Sequence, residues 1–330
     1  MQGKTLLATT ESAADRVIVV SLMKSGTHLV QELMVALGYG IYGQSRIPAE
    51  IRPVFDAETR RDITGAVLGA AEAERLAAGD PAAYDKAVAK AWDAYGWSWQ
   101  LRFGLPLVNR YGMAKVNEEL VERAVRRTAA TGFADTPAGV CWVLPELDIK
   151  KLDGAFLTEW TQQGEPRIVF MYRDPRDVVL SMVNFLSGKT AQGYGNFSEF
   201  QVFNRILTSK ASLEEKLEYA LTDPSFPGAG DFERSLWLLN HPNVCKVSFE
   251  ELVGAKGGGS DEMQQQAVAR VCEFLGFDSS HPDLGGNLFR RDSFSFFKGQ
   301  IGSWRESFTP RLEPLVESRL AEVINRYGYK

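Results

Sequence analysis

Cysteine is scarce in this chain. Its 330 residues hold three, Cys141, Cys245 and Cys272. They are widely spaced, odd in number and include no Cys-x-x-Cys pair, so no disulfide framework is expected and a reducing cytoplasm fits. Histidine is equally rare, with only His28, His241 and His281. Long apolar runs are missing too. The first 16 residues are polar, with no apolar signal-peptide core, and no later run approaches transmembrane length. A soluble cytoplasmic protein with no membrane partner is therefore expected. Positive charge is not in excess: 37 Lys and Arg stand against 42 Asp and Glu, a net charge of −5. That argues against bulk nucleic-acid binding and confines any anion site to a local basic pocket.

What the chain does have begins at Val17. Val17-Ile18-Val19-Val20-Ser21-Leu22 is a short run rich in β-branched residues, as for a central parallel strand covered on both faces. From Leu29 the period changes. Leu29, Leu33 and Leu37 form one row and Val30 and Met34 another, which is helical spacing. Gly38 and Gly40 end that helix. Between strand and helix lies Lys24-Ser25-Gly26-Thr27-His28. A loop at a helix N-terminus offers backbone N–H groups and the positive end of the helix dipole, which suits a phosphate. Lys24 adds charge, and Ser25, Thr27 and His28 add donors.

The length allows one large α/β domain with insertions. Gly40 to Pro53 reads as a loop leaving the strand's C-terminal end. Residues 56–131 carry helical patterns only: one over Glu58–Leu76, a second from Pro81 to about Tyr95 with Asp80 as N-cap, and a third over Val116–Thr128. This block, about 45–140, is expected to be a helical cap over the sheet. Trp92, Trp97, Trp99 and Phe103 would glue the cap to the core, with one or two of them available as an apolar wall for an acceptor. Residues 132–166 read as an irregular connection containing Cys141-Trp142-Val143-Leu144-Pro145-Glu146. Arg167–Tyr172 is a second buried strand, followed by Arg173-Asp174-Pro175-Arg176-Asp177 and a helix over Asp177–Leu186. A third strand covers Val244–Val247. Gly257-Gly258-Gly259-Ser260 reads as a flexible loop, Glu262–Leu275 as a helix closed by Gly276, and Pro310–Tyr327 as a final amphipathic helix.

Three motifs in order now carry a resemblance. Lys24-Ser25-Gly26-Thr27 resembles the 5′-phosphosulfate loop of the sulfotransferases that use 3′-phosphoadenosine 5′-phosphosulfate (PAPS). Tyr172-Arg173-Asp174-Pro175-Arg176-Asp177-Val178-Val179-Leu180-Ser181 resembles their 3′-phosphate motif, an Arg at a strand end with a Ser eight residues later. Lys298-Gly299-Gln300-Ile301-Gly302-Ser303-Trp304-Arg305 resembles their C-terminal Lys-Gly-x-x-Gly-x-Trp loop. Phe249-Glu250-Glu251-Leu252 resembles the segment that supplies an aromatic to the adenine. The resemblance implies one α/β domain over 1–330, a central parallel sheet flanked by helices in a P-loop NTPase-like three-layer sandwich. It implies PAPS as co-substrate, adenosine 3′,5′-bisphosphate as product and no metal. The implied nucleotide ligands are Lys24, Ser25, Gly26, Thr27, His28, Arg173, Ser181, Phe249, Lys298 and Gly299.

The resemblance further implies transfer of a sulfuryl group to a hydroxyl or amine of a small-molecule acceptor, a secondary metabolite being one option. Lys24 would stabilise charge on the bridging oxygen. The base is less regular. Relatives carry a Lys-Thr-His-Leu-Pro stretch, and the match here, Cys141-Trp142-Val143-Leu144-Pro145, has neither the Lys nor the His. The candidates are His28, Glu50 and Glu146; an acceptor that needs little base is the other route. Two alternatives remain. A sulfotransferase-like binding protein would hold the nucleotide without turnover. An ATP-dependent kinase would need Gly-x-x-x-x-Gly-Lys-Ser/Thr, whereas Lys24 here precedes Ser25-Gly26. The oligomeric state stays open, a homodimer among the options.

Overall fold

Alternation along the first strand sets the layers. In this computed structural model, which describes residues 14–42, 54–105, 117–188, 198–278, 284, 288 and 300–330, β1 (Arg16–Ser21) runs through the 22–26 loop into α1 (Thr27–Ala36). Gly38, at φ 97°, turns the chain into β2 (Gly40–Tyr42). The helices α2 (Ala57–Leu68), α3 (Ala70–Ala77), α4 (Pro81–Arg102) and α5 (Glu118–Thr128) follow, and then β3 (Val140–Leu144), α6 (Gly154–Gln163) and β4 (Arg167–Tyr172). From β4 the chain enters α7 (Pro175–Ser187), α8 (Ser198–Thr208), α9 (Leu213–Thr222), α10 (Ala229–Arg234) and α11 (Leu236–Asn240). It closes with β5 (Val244–Ser248), α12 (Phe249–Leu252), α13 (Asp261–Leu275), α14 (Trp304–Ser307) and α15 (Glu313–Arg326).

The five strands form one parallel sheet in the order β2-β3-β1-β4-β5. Val17 and Val19 face α1 and α13, with Leu33, Met34, Val268 and Val271. Ile18 and Val20 face the other way, onto Trp99, Phe103, Phe156 and Tyr327. Helices thus cover both faces, which is why the strands are apolar throughout. The chain leaves β1 toward β2 and β3 on one side and returns to β4 on the other. The strand order therefore reverses at β1/β4, the place where open α/β sheets in general bind ligands. The phosphate-type loop at 22–26 and the Arg173 turn flank this point.

Several expectations need correction. Val140–Leu144 is not irregular: it pairs with β1 from Arg16↔Val140 to Val20↔Leu144. A five-residue run buried on both faces shows no alternation, so periodicity does not mark it. Gly40–Tyr42 is an edge strand, paired to β3, where a loop was expected. Helix α4 does not stop near Tyr95 but continues through Gly96-Trp97-Ser98-Trp99 to Arg102. Gly96 is there for proximity, since a Cβ on it would meet the Tyr42 hydroxyl oxygen at 1.3 Å. The Gly257–Ser260 tract is an ordered turn: Ala255–Gly257 is 3₁₀-helical, Gly259 N–H donates to Gly254 O, and Ser260 caps α13 through the Met263 N–H at 3.0 Å. Trp92, Trp97, Trp99 and Phe103 are all buried, Trp99 stacked on Phe156 at 5.1 Å, so they pack the core and none forms an open wall. No helix among the described residues is long and apolar enough to cross a membrane.

Candidate functional site

The loop after β1 is bent by two left-handed residues. Lys24 sits at φ 64°, a conformation that costs a non-glycine residue, and Gly26 at φ 97°. The bend closes through Ser25 N–H to Leu22 O at 3.0 Å, and Leu22 N–H reaches across to Met171 O of β4 at 3.2 Å. Gly26 is the N-cap of α1 and supplies no side-chain cap. The start of α1 is thereby left for an external anion. A Cβ at Gly26 would lie 2.8 Å from Phe249 Cδ2 and 2.9 Å from Met171 Cε, so no larger residue fits. Ser21 and Thr27 share a hydroxyl–hydroxyl hydrogen bond of 2.8 Å across the loop.

Two polar atoms here are buried without a hydrogen-bond partner among the described residues. They are Ser25 Oγ, on a residue with 0% exposure, and Arg173 Nε. Buried groups of this kind are ordinarily satisfied, so a pair of donors left open at one loop fits an anionic ligand. Lys24 adds charge. Burial first, and the nearby Arg173 second, lower its pKa from 10.5 to about 8. Its ammonium lies 4.3 Å from the Phe185 ring centroid. His28 is lowered as well, by burial and then by Lys24, with a hydrogen bond to Gln31 acting against them.

The second half of the site stands at the end of β4. Pro175 at the first helical turn and Asp174, whose side chain accepts the Arg176 N–H at 2.9 Å, start α7. The Arg173 guanidinium lies 4.2 Å from the Phe249 ring centroid. Its Nη2 donates to Gln300 O at 2.8 Å, and Nη1 to Lys24 O at 3.4 Å. Arg173 therefore ties the 22–26 loop to the C-terminal segment. Arg173, Asp177 and Ser181 follow at intervals of four, which puts Asp177 and Ser181 one turn apart on one face of α7. Arg176 points elsewhere: it pairs with Asp174 at 2.8 Å, covers Trp304 at 4.0 Å and donates to Lys330 O. Of the two arginines in the motif, Arg173 alone is directed at the loop.

The predicted residues Lys24, Ser25, Gly26, Thr27, Arg173 and Phe249 thus converge through direct contacts, with His28 beside Lys24. Glu146 follows β3, at the same edge of the sheet, and its Oε2 takes a hydrogen bond of 2.8 Å from Arg234. His241 is engaged by Glu165 at 3.2 Å. Glu50, Lys298, Gly299 and His281 lie outside the described residues. Sequence reasoning passed over three contributors. Phe185 flanks Lys24; Gln300 receives Arg173; Asp177 receives the 302–304 backbone, with Gly302 N–H at 2.7 Å and Trp304 N–H at 3.0 Å. The Asp177 signal was its place in the charged turn at the end of a strand, which marks the neighbourhood of a ligand but not what the carboxylate holds.

No family model matches the sequence, and no curated protein matches it. Among solved structures, the fold is similar to mouse sulfotransferase SULT7A1 complexed with PAP: 15% identity, TM-score 0.46, covering 93% of this chain and 84% of that one. It is also similar to retinol dehydratase in complex with androsterone and inactive cofactor PAP: 16% identity, TM-score 0.47, covering 96% of this chain and 82% of that one. At these scores neither likeness bears on what the chain does.

Proposed function

We propose that the chain is a PAPS-dependent sulfotransferase acting on a hydroxyl or amine of a small molecule. One observation carries the reading. The ends of β1 and β4 present two cationic sites at the strand-order reversal, joined by Arg173 and furnished with the open donors Ser25 Oγ and Arg173 Nε. Phosphates at both ends of one ribose suit two such sites a strand apart. Ser25, Thr27, His28 and the start of α1 would hold the 5′-phosphosulfate, and Arg173 and Ser181 the 3′-phosphate, with Phe249 at the adenine. Lys298 and Gly299 belong to the same proposal from sequence.

The residues then account for the reaction. The acceptor oxygen or nitrogen bonds to sulfur as the bond from sulfur to the bridging oxygen breaks, and adenosine 3′,5′-bisphosphate leaves. Negative charge grows on that bridging oxygen. Lys24, fixed by a strained backbone and short of solvent, is placed to offset it. The acceptor's proton goes to His28 or Glu146, the two base candidates among the described residues; Glu50 is the third. Lys24 rests on Phe185, whose ring lies 6.1 Å from that of Phe200, and these aromatics favour an acceptor with an apolar body. The three cysteines are free and buried, in keeping with a cytoplasmic setting.

A second reading, nucleotide binding without turnover, has its own support. Val143 stands where the motif match would put a histidine, and it is buried against the α1 face. Calorimetry with adenosine 3′,5′-bisphosphate and a sulfation assay with PAPS and a panel of phenols, alcohols and amines separate the readings. Binding with turnover supports the first and binding alone the second. No binding at high micromolar nucleotide sinks both.

A further inference from the structure

A carboxylate lies inside this anion site, where electrostatics alone would exclude one. The Asp177 side chain has 0% exposure. Its Oδ2 accepts the Gly302 N–H at 2.7 Å and Oδ1 the Trp304 N–H at 3.0 Å. Oδ2 also lies 3.5 Å from Arg173 Nη2, which itself donates to Gln300 O at 2.8 Å. Next to them, Ile301 N–H donates to Gly257 O at 3.1 Å. Every anchor of the 300–304 backbone named here ends on the Arg173–Asp177 pair or on the Gly257 turn. Gly302 reaches its place at φ 70°.

We infer that Asp177 is a positioning residue for recognition of the 3′-phosphate, an inference that rests on the function proposed above. The carboxylate does not touch the ligand. It locks the segment that follows Lys298-Gly299 and holds the Arg173 guanidinium in place, leaving Nε, a buried donor with no partner among the described residues, for the phosphate. The chemistry demands an acid here. Two backbone N–H donors and a guanidinium face the group, and a carboxylate offers two acceptor oxygens and no hydrogen. An asparagine would offer one oxygen and set its NH₂ against an N–H or the guanidinium. The partial neutralisation of Arg173 by Asp177 is the cost of that order, and Lys24 makes up the charge.

The experiment compares two nucleotides, because a merely structural role would move both alike. Adenosine 3′,5′-bisphosphate and adenosine 5′-monophosphate are titrated into wild type and Asp177→Asn. Loss of one bidentate, charge-assisted anchor is expected to weaken the bisphosphate about tenfold or more and the monophosphate by less than about threefold. Asp177→Glu, which keeps both oxygens, should recover part of the loss. Hydrogen exchange on wild type covers the case in which Asp177→Asn does not fold. The Gly302 and Trp304 amides should exchange slowly, and bisphosphate should slow them further while monophosphate does not. Equal weakening of both nucleotides, unchanged bisphosphate affinity, or equal slowing by both ligands overturns the inference and leaves the proposed function standing. Failure of wild type to bind either nucleotide removes the proposed function, and this inference falls with it.

Discussion

The Lys24 ammonium lies 4.3 Å from the Phe185 ring centroid, so the cation proposed to act on the leaving group rests on an aromatic face of α7. Burial, and then the charge of nearby Arg173, brings the lysine down to about 8. The sign of the pH dependence follows. In the free protein the ammonium is present below pH 8 and is lost above it, whereas an unfolded lysine holds its proton to about 10.4. The free protein therefore carries the full penalty below pH 8 and gains stability as pH rises from 8 toward 10. A bound phosphate reverses this, since it favours the ammonium. Affinity for adenosine 3′,5′-bisphosphate should be flat below pH 8 and fall above it, up to about tenfold per pH unit. Calorimetry at pH 8 in buffers of different ionisation enthalpy should register proton uptake on binding. Lys24→Ala should abolish both the uptake and turnover. Proton uptake that survives in Lys24→Ala would assign the titration to another group.

Gly26 has no room for a side chain. At φ 97° an alanine there is strained, and its Cβ would sit 2.8 Å from the Phe249 ring and 2.9 Å from Met171 Cε. Strain and overpacking together should cost about 2–4 kcal/mol, read as a lower urea midpoint at unchanged m-value. The Phe249 ring also carries Arg173, so the displaced ring should disturb both proposed phosphate sites at once. Gly26→Ala with wild-type stability and wild-type bisphosphate affinity would contradict this account of the loop.

The strand–loop–helix at 16–36 is legible because two periods meet there, and a charged loop fills the gap between them. The Arg173 turn is legible for the same reason, helped by Pro175. Strand β3 is not, because Val140–Leu144 is apolar on both faces and its identity as a strand comes from pairing with β1 and β2. The end of α4 is misread because Gly96 looks like punctuation, when its task is to let Tyr42 approach the helix. Residue types at the site can be read in order along the chain. Partnerships cannot: that Asp177 meets Gly302 and Trp304, or that Phe185 lies under Lys24, depends on how α7 sits against segments far away in sequence.

The two base candidates at the described edge should respond differently to substitution. Glu146 already spends Oε2 on Arg234, which also reaches Asp231. Glu146→Gln is therefore expected to lower stability, with turnover in the folded fraction changed by less than about threefold. The His28 pKa is held below its usual 6.5, so the imidazole is neutral and able to take a proton across the neutral range. His28→Asn should lower kcat about 100-fold or more and also weaken the bisphosphate, since the same imidazole is proposed to hold the 5′-phosphosulfate. The wild-type profile of kcat/KM for PAPS, which reports the free protein, should show an acid limb starting below pH 6.5. Selective loss of kcat in Glu146→Gln, with the acid limb intact in His28→Asn, would reverse the assignment. Loss of nucleotide affinity in His28→Asn with kcat unchanged at saturating nucleotide would make His28 a phosphate ligand alone.

Arg102 fixes the helices on the second face of the sheet. Its side chain is 2% exposed and donates to Asp153 Oδ2 at 3.1 Å, Thr128 O at 2.7 Å and Thr131 O at 2.7 Å. The guanidinium also lies 4.6 Å from Trp99 and 4.3 Å from Phe156, ring centroid to cation. It thus joins the end of α4 to the end of α5 and to the start of α6 in one contact. Removing it would take one donor each from Thr128 O, Thr131 O and Asp153 Oδ2, while Thr128 O keeps the Thr131 N–H and Asp153 Oδ1 keeps the Ala155 N–H, a loss of about 2–3 kcal/mol. Arg102→Lys should recover only part, because an ammonium offers no planar fork and no flat face to the rings. Urea unfolding of Arg102→Ala and Arg102→Lys checks both. Bisphosphate affinity in the folded protein should stay within about twofold of wild type, since Arg102 shares no partner with the phosphate-type loop. A large affinity change at unchanged stability would mean that these helices and the loop are coupled through Arg102, contrary to its contacts.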